Sequence, residues 1–318
     1  MNGWFWGQHT TGSGQYTMNL LRALRRQGGD DRFFLALRPE ARERPDELPA
    51  GVQASRLRGP LGRDGGNWAK LWFEQAAFPA YCRRERADVA HVPYWAPPLF
   101  PATPTVVTIH DLIPLILPDY RGNLMVRLYT RLVSLSARRA ACVITDSEAS
   151  RRDIIGRLRL RPERVRVVYL AADPAFRPVA DGARLERVRR RYGLPDRFLL
   201  YLGGFDRRKN VPLLLQAYAQ ALRREARTPD LVIAGRPPQE DTAFFPHPAR
   251  TVQELSLGDR VRLIGPVEED DKPALYGLAR AFVFPSEYEG FGLPVLEALS
   301  CGTPAVVSDA GSLPEIVG

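Results

Sequence analysis

Glu289 and Glu297, with seven residues between them, lie in Phe284-Pro-Ser-Glu-Tyr-Glu-Gly-Phe-Gly-Leu-Pro-Val-Leu-Glu-Ala298, the stretch of the chain best suited to chemistry. An apolar strand precedes it, and Pro294 near the start with Gly302 past the end predicts a helix over residues 293–300. A strand-loop-helix junction points amide N–H groups at whatever binds there and suits an anionic ligand. Gly290 and Gly292 let the backbone come close, and the amides of Phe291, Gly292 and Leu293 are donors that the helix cannot satisfy itself. Glu297, about one turn into the helix, is placed to accept two hydrogen bonds from a ribose hydroxyl pair, and Glu289 to touch the group beyond the phosphates. The plainer alternative stands beside this one: Glu297 complements the helix dipole and Glu289 is a solvated loop charge.

A second constellation, Tyr201-Leu-Gly-Gly-Phe-Asp-Arg-Arg-Lys-Asn210, is again a strand, a glycine turn and a helix, over 211–224, with Asn210 as expected N-cap and Pro212 just inside. Arg207, Arg208 and Lys209 then sit at the positive end of a helix dipole, a conflict that a shared anion such as a diphosphate would resolve. The alternative is an arginine-rich loop partly offset by Asp206. The chain has only three lysines, Lys70, Lys209 and Lys272, so a lysine at such a place is informative.

In the first half, residues 10–14 (Thr-Thr-Gly-Ser-Gly) read as a loop before a helix over 15–27, without the spacing of a dinucleotide fingerprint. His110 and Asp111 close the run Thr105-Val-Val-Thr-Ile, at the carboxyl edge where open α/β sheets bind ligands, although a lone His-Asp pair is more readily structural. Residues 121–139 carry five arginines interleaved with Leu124, Leu128, Leu132 and Leu135. Such a basic amphipathic helix suits an acidic membrane, but core packing of the leucine stripe is the simpler expectation.

The elements that must position these residues alternate as in parallel α/β layers. Apolar runs at 32–37, 88–92, 105–110, 142–145 and 165–170 form one strand series, and those at 198–203, 231–235, 261–265, 281–285 and 305–308 a second. Between them residues 172–196 are polar and proline-bearing, which puts a domain boundary near residue 180 and gives domains 1–180 and 181–318. At 318 residues, 45% apolar and 25% charged, the chain fits two soluble domains. Cys82, Cys142 and Cys301 are scattered and read as core residues, and His9, His91, His110 and His247 lack ligand spacing, so no metal site is expected. A cytosolic protein is the default reading, there being neither a basic-headed signal peptide nor an apolar run of membrane-spanning length. The net charge of +9 does not by itself choose among nucleic acid, acidic lipid and an anionic substrate.

With these motifs in place, the sequence resembles the retaining nucleotide-sugar glycosyltransferases of family 4. The resemblance covers nearly the whole chain. It is strongest in the paired-glutamate run followed by Cys301-Gly-Thr-Pro304 and in Arg208-Lys209-Asn210, and weaker in Gly12-Ser-Gly-Gln-Tyr16, Thr108-Ile-His-Asp-Leu112 and Thr145-Asp-Ser-Glu-Ala-Ser150. It implies a GT-B fold, two Rossmann-like domains facing across a cleft, the first on the acceptor side and the second, incomplete at its C-terminus, for the donor. It assigns Glu297 to the ribose, Glu289 and His110 to the transferred sugar, and Phe291 and Gly292 to the sugar or phosphate edge. Arg208, Lys209, Gly12 and Gly14 go to the diphosphate, and Val267 to the nucleobase side. The implied reaction moves a hexose or deoxyhexose, mannosyl-like, from a nucleotide-diphosphate sugar to a polysaccharide or lipid-linked glycan. It needs no metal or cofactor, and nucleic acid is not among the implied partners. A non-catalytic nucleotide-sugar-binding subunit, or an inactive fragment, is the alternative. Ala171-Ala-Asp173 departs from the glycine-aspartate usual in the family, and the chain is expected to be truncated at the C-terminus and at the N-terminus too.

Overall fold

Continuous Val, Ile, Leu and Phe runs too short for helices become strands when helices cover both faces, and this chain forms them in parallel throughout. The computed structural model describes residues 1–8, 11–41, 48–59 and 66–318; His9 and Thr10 lie outside the described residues. The chain divides into two units, Met1–Asp146 with Arg151–Val168, and Ser147–Ser150 with Tyr169–Gly318.

In the first unit β1 (Asn2–Gly3), β2 (Phe33–Leu37) and β3 (Val52–Arg56) make one parallel sheet. A second runs in the order β4 (Ala90–Val92), β5 (Thr105–Thr108), β6 (Cys142–Thr145), β7 (Val165–Val167). The helices are α1 (Gly12–Arg26), α2 (Gly66–Trp72), α3 (Phe78–Arg84), α4 (Ile113–Ile116), α5 (Leu124–Ala137) and α6 (Glu148–Leu158), the last with its first three residues in the second unit, and there is a π-helical turn at Phe73–Ala77. Sequence reasoning missed β1, which is only two residues long, and β3, whose Val-Gln-Ala-Ser-Arg buries Val52 alone.

Two expectations for this unit need correction. Gly12, Ser13 and Gly14 are not a loop but the first turn of α1, because Thr11 caps the helix by accepting from the Gly14 N–H at 3.2 Å. The leucine stripe of α5 does not pack into the core. Leu124, Leu128 and Leu135 are exposed, and the buried face carries Thr130, Val133, Ser136 and Ala137. The helical period explains this: at about 100° per residue Val133 lies nearly opposite the three leucines.

In the second unit a single parallel sheet has the order β10-β9-β8-β11-β12, from β8 (Phe198–Leu202), β9 (Asp230–Ala234), β10 (Val261–Gly265), β11 (Ala281–Phe284) and β12 (Ala305–Val307). Around it lie α7 (Gly182–Arg191), α8 (Val211–Arg224), α9 (Pro248–Glu254), α10 (Lys272–Leu278), α11 (Leu293–Ser300) and α12 (Leu313–Val317). The core is aromatic: Phe198, Tyr201, Tyr276, Phe282 and Phe284 are fully buried, with Phe282 and Phe284 stacked at 5.6 Å. β8 and β11 are neighbours at the middle of this sheet, so the loops leaving their carboxyl ends, which carry Arg208-Lys209 and Glu289, emerge side by side.

Candidate active site

The loop after β8 tightens into a single 3₁₀ turn, Arg207–Lys209. Asn210 stands at the N-cap of α8 as expected, but in the left-handed region at φ 56°, where asparagine is tolerated, and its side chain makes no cap bond. Its own N–H bonds to the Arg207 carbonyl at 3.0 Å, closing the turn and fixing where the two preceding side chains leave the backbone.

Those side chains meet Glu289. The Lys209 Nζ lies 2.6 Å and the Arg208 guanidinium 2.7 Å from its Oε1. Arg208 also donates to the Tyr288 carbonyl at 2.8 Å and lies 3.5 Å from the Asp206 carboxylate, while the Lys209 ammonium stands over the Phe284 ring at 4.8 Å. The conflict between cations and helix dipole is therefore met here by a carboxylate 80 residues further along the chain. All three side chains are about nine-tenths buried. Burial pushes the Glu289 carboxyl up, but Lys209 and Arg208 outweigh it and hold its pKa below the usual carboxylate value. Burial also lowers the Lys209 ammonium, against the pull of Glu289. Glu289 is thus a charged group locked between two cations.

The next three residues are aimed by serines. The Ser147 and Ser150 hydroxyls donate to the Gly290 carbonyl at 2.7 and 3.1 Å. The Ser312 hydroxyl lies 3.0 Å from the Glu289 carbonyl and reaches the Phe291 carbonyl as well, sharing its one proton. In a trans peptide the C=O and N–H point oppositely. Clamping the carbonyls of Glu289, Gly290 and Phe291 to hydroxyls therefore fixes the amides of Gly290, Phe291 and Gly292, each pointing away from the carbonyl of its own peptide unit. Gly292 has φ 120°, which other residues rarely adopt, and a Cβ there would stand 2.7 Å from Leu313. The Glu315 carboxylate accepts from the amides of Glu148 and Ala149 at 2.8 and 2.7 Å, which anchors the Ser147–Ser150 segment within this unit.

Glu297 lies on α11, where Pro294 falls at the start and Gly302 follows the end with φ 82°. Its Oε2 accepts from the Tyr276 hydroxyl at 3.0 Å. Burial raises its pKa to about 7, partly opposed by Lys272 and by the tyrosine. Val267, just past β10, is half-buried against the core.

In the first unit His110 stands two residues beyond the end of β5. Its Nδ1 lies 2.6 Å from Asp146 Oδ2, and its ring meets Tyr16 edge-on at 4.6 Å. Burial lowers the imidazole pKa, yet the Asp146 hydrogen bond and charge raise it above the ordinary value. The Tyr16 hydroxyl bonds to Thr108 at 3.1 Å, which ties the first turns of α1, with Gly12 and Gly14, to the end of β5. A Cβ on Gly14 would overlap the Gln8 carbonyl and approach that of Phe5 to 2.9 Å, whereas Gly12 faces open space.

The structure thus gathers Glu289, Arg208, Lys209, Phe291 and Gly292 in one place, sets Glu297 against Tyr276, and groups His110 with Gly12 and Gly14 in the other unit. Sequence reasoning quoted Asp146, Ser147 and Ser150 only within a weaker match and gave them no role, and it passed over Tyr276, Ser312 and Glu315. Asp146 had a usable signal. β5 and β6 pair with Thr108 opposite Ile144, so the residue two past each, His110 and Asp146, fall side by side at the carboxyl edge. The partners of the serines carried none, since only the tertiary fold brings residues 147 and 312 to the loop around 290. Among the described residues no cluster of His, Cys, Asp and Glu is arranged to hold a metal ion.

The described family of glycosyltransferase family 4 matches residues 10–176, more than half of the chain, and that of glycosyl transferases group 1 matches residues 186–318. The chain belongs to glycosyltransferase family 4. O-antigen chain mannosyltransferase B of Escherichia coli is 37% identical over 215 residues, 67% of this chain and 55% of that protein. The alpha-D-kanosaminyltransferase of Streptomyces kanamyceticus is 29% identical over 85% of this chain and 72% of its own length. The chain thus spans about half of the first of these relatives. Among solved structures, Anabaena HepE in complex with UDP and glucose superposes with a TM-score of 0.70 at 19% identity, covering 97% of this chain and 80% of its own. The sucrose-phosphate synthase of Thermosynechococcus elongatus gives 0.69 at 25% identity, covering 95% and 77%. These likenesses establish the fold as GT-B, with two Rossmann-like units. No helix among the described residues is long and apolar enough to cross a membrane.

Proposed function

We propose that the chain carries out retaining transfer of a hexose or deoxyhexose, mannosyl-like, from a nucleotide-diphosphate sugar to a polysaccharide or lipid-linked glycan. The observation that carries this reading is the Glu289 carboxylate locked between Arg208 and Lys209, on a loop whose carbonyls at Glu289, Gly290 and Phe291 are held by serine hydroxyls, which fixes the direction of the amides that follow them. A departing nucleoside diphosphate gathers negative charge as the sugar–phosphate bond breaks. Fixed cations and oriented amides stabilise that charge without having to reorganise. Arg208 and Lys209 take the diphosphate, with Gly12 and Gly14 also assigned to it, and charge compensation comes from these groups with no metal or cofactor. Phe291 and Gly292 offer amides to the sugar or phosphate edge, Glu289 and His110 are the groups assigned to the transferred sugar, and Val267 lies on the nucleobase side. Glu297, once ionised, accepts from the ribose hydroxyls. The mannosyl preference rests on the E. coli mannosyltransferases, which are 31–37% identical over 67% of this chain. A lipid-linked acceptor would put the reaction at the cytoplasmic face of an acidic membrane, with peripheral contact.

Thermal-shift titration with UDP-, GDP-, ADP- and dTDP-sugars tests this. One donor raises the melting temperature more than the others, and the rise disappears in Glu297→Ala and Lys209→Ala. Equal rises in the parent and both variants would overturn the site assignment.

A further inference from the structure

The exposed face of α5 has no role in the donor site and is unusual for a soluble surface. Leu124 is 70% exposed, Leu128 54%, Met125 52% and Leu135 43%. Exposed contiguous apolar patches of this kind mark contact sites. At about 100° per residue Leu124, Leu128 and Leu135 fall in a band about 40° wide, and Arg127, Arg131 and Arg138 fall in an adjoining band of similar width. All three arginines are exposed, as are Arg121 and Arg139 beyond the helix ends. From Tyr120 to Thr145 the chain contains five arginines and no carboxylate. The helix is held from behind, where Tyr129 donates to both oxygens of the fully buried Glu74, at 2.8 and 3.1 Å. Its outer face is therefore presented rigidly.

We infer that α5 lies on an anionic lipid bilayer, with its leucine row among the acyl chains at the boundary and its arginine row on the headgroup phosphates. A leucine row beside an uninterrupted cationic row matches the layering of a bilayer surface, apolar beside anionic. The inference deepens the membrane contact of the proposed function, but it stands on surface chemistry and needs no donor binding.

Co-sedimentation of the full chain with vesicles tests it, using equal parts phosphatidylglycerol and phosphatidylcholine against phosphatidylcholine alone. The chain pellets with the anionic vesicles only, and raising salt to about 0.5 M releases it. Each arginine near an anionic surface is worth about fivefold in binding, so Arg127→Glu with Arg131→Glu weakens it by about twenty-five-fold or more. Leu124→Asp with Leu128→Asp weakens it by at least about tenfold. Both pairs are exposed, so circular dichroism and the melting temperature stay at parent values. Equal pelleting with both vesicle types, pelleting unchanged in both variants, or a dimer in sedimentation that the leucine variants dissolve would each overturn the inference. Donor titration of the same proteins is unaffected either way, which separates this test from that of the transfer reading.

Discussion

Replacing Glu297 with glutamine should stabilise the fold while impairing donor binding, and the size of both effects follows from its environment. The carboxyl is partly buried on α11, where among the described residues the Tyr276 hydroxyl alone donates to it, and burial lifts its pKa from the usual 4.5 to about 7. A carboxyl raised in the folded state costs stability wherever the unfolded chain would ionise it. The cost is absent below pH 4.5, grows between 4.5 and about 7, and is constant above. At about 1.4 kcal/mol per pH unit the full cost is about 3.5 kcal/mol. Glutamine keeps the size and the acceptor for Tyr276 without the charge. Glu297→Gln should then match the parent near pH 4.5 and melt several degrees higher at pH 8. Glu74, also pushed up to about 7 by burial, titrates in the same window and leaves a residual slope in the variant. If the ionised carboxylate receives the ribose, donor affinity in the parent falls about tenfold per pH unit below 7, and in the variant it is weak and flat with pH. Melting curves and donor titrations from pH 4.5 to 8.5 check both halves. A variant that tracks the parent at every pH would refute the reasoning about burial, and one that keeps full donor affinity would refute the ribose assignment.

Two further perturbations concern the first unit. Asp146→Asn removes the charge that holds His110 up against burial, so the imidazole pKa should fall below its ordinary value, read by NMR titration of the ring protons. Because the raised histidine pKa stabilises the fold at pH below the unfolded value of about 6.5 and loses that stabilisation as pH rises through the folded value, the variant loses stability at pH 5.5 and little at pH 9. An unchanged pKa would show that the pair is not coupled. Gly14→Ala forces a methyl against the Gln8 and Phe5 carbonyls and should cost about 2–3 kcal/mol. Gly12→Ala meets nothing within 4 Å and should leave the melting temperature unchanged or slightly raised. Equal melting temperatures for the two would contradict the packing of this turn.

Much of the second unit was legible because its signals are local. The apolar run at Ala281–Phe284, Pro294 at a helix start and Gly302 beyond its end placed β11 and α11, and the glycine turn with Pro212 placed α8. The same local signals nominated Glu289 with Glu297, and Arg208 with Lys209, as two anion-binding constellations, and the family resemblance joined them. They could not say what those groups do to one another. That Glu289 pairs with both Arg208 and Lys209 depends on β8 and β11 being neighbours in the sheet, a pairing between segments 80 residues apart that no periodicity encodes. The serine clamp on the 289–291 carbonyls is of the same kind, joining residue 147 to residue 290 and residue 312 to residues 289 and 291. The leucine row of α5 shows the limit from the other side. Its period announced an amphipathic helix, but which face is buried was decided by Tyr129 reaching Glu74 and Val133 entering the core, so the small residues face in and the leucines face out. Sequence alone set the elements, their order and the kinds of residue at their ends. Tertiary packing decided which charges meet, how far burial moves their pKa values, and which apolar surface is left to the outside, because each of these depends on distances between segments remote in the chain.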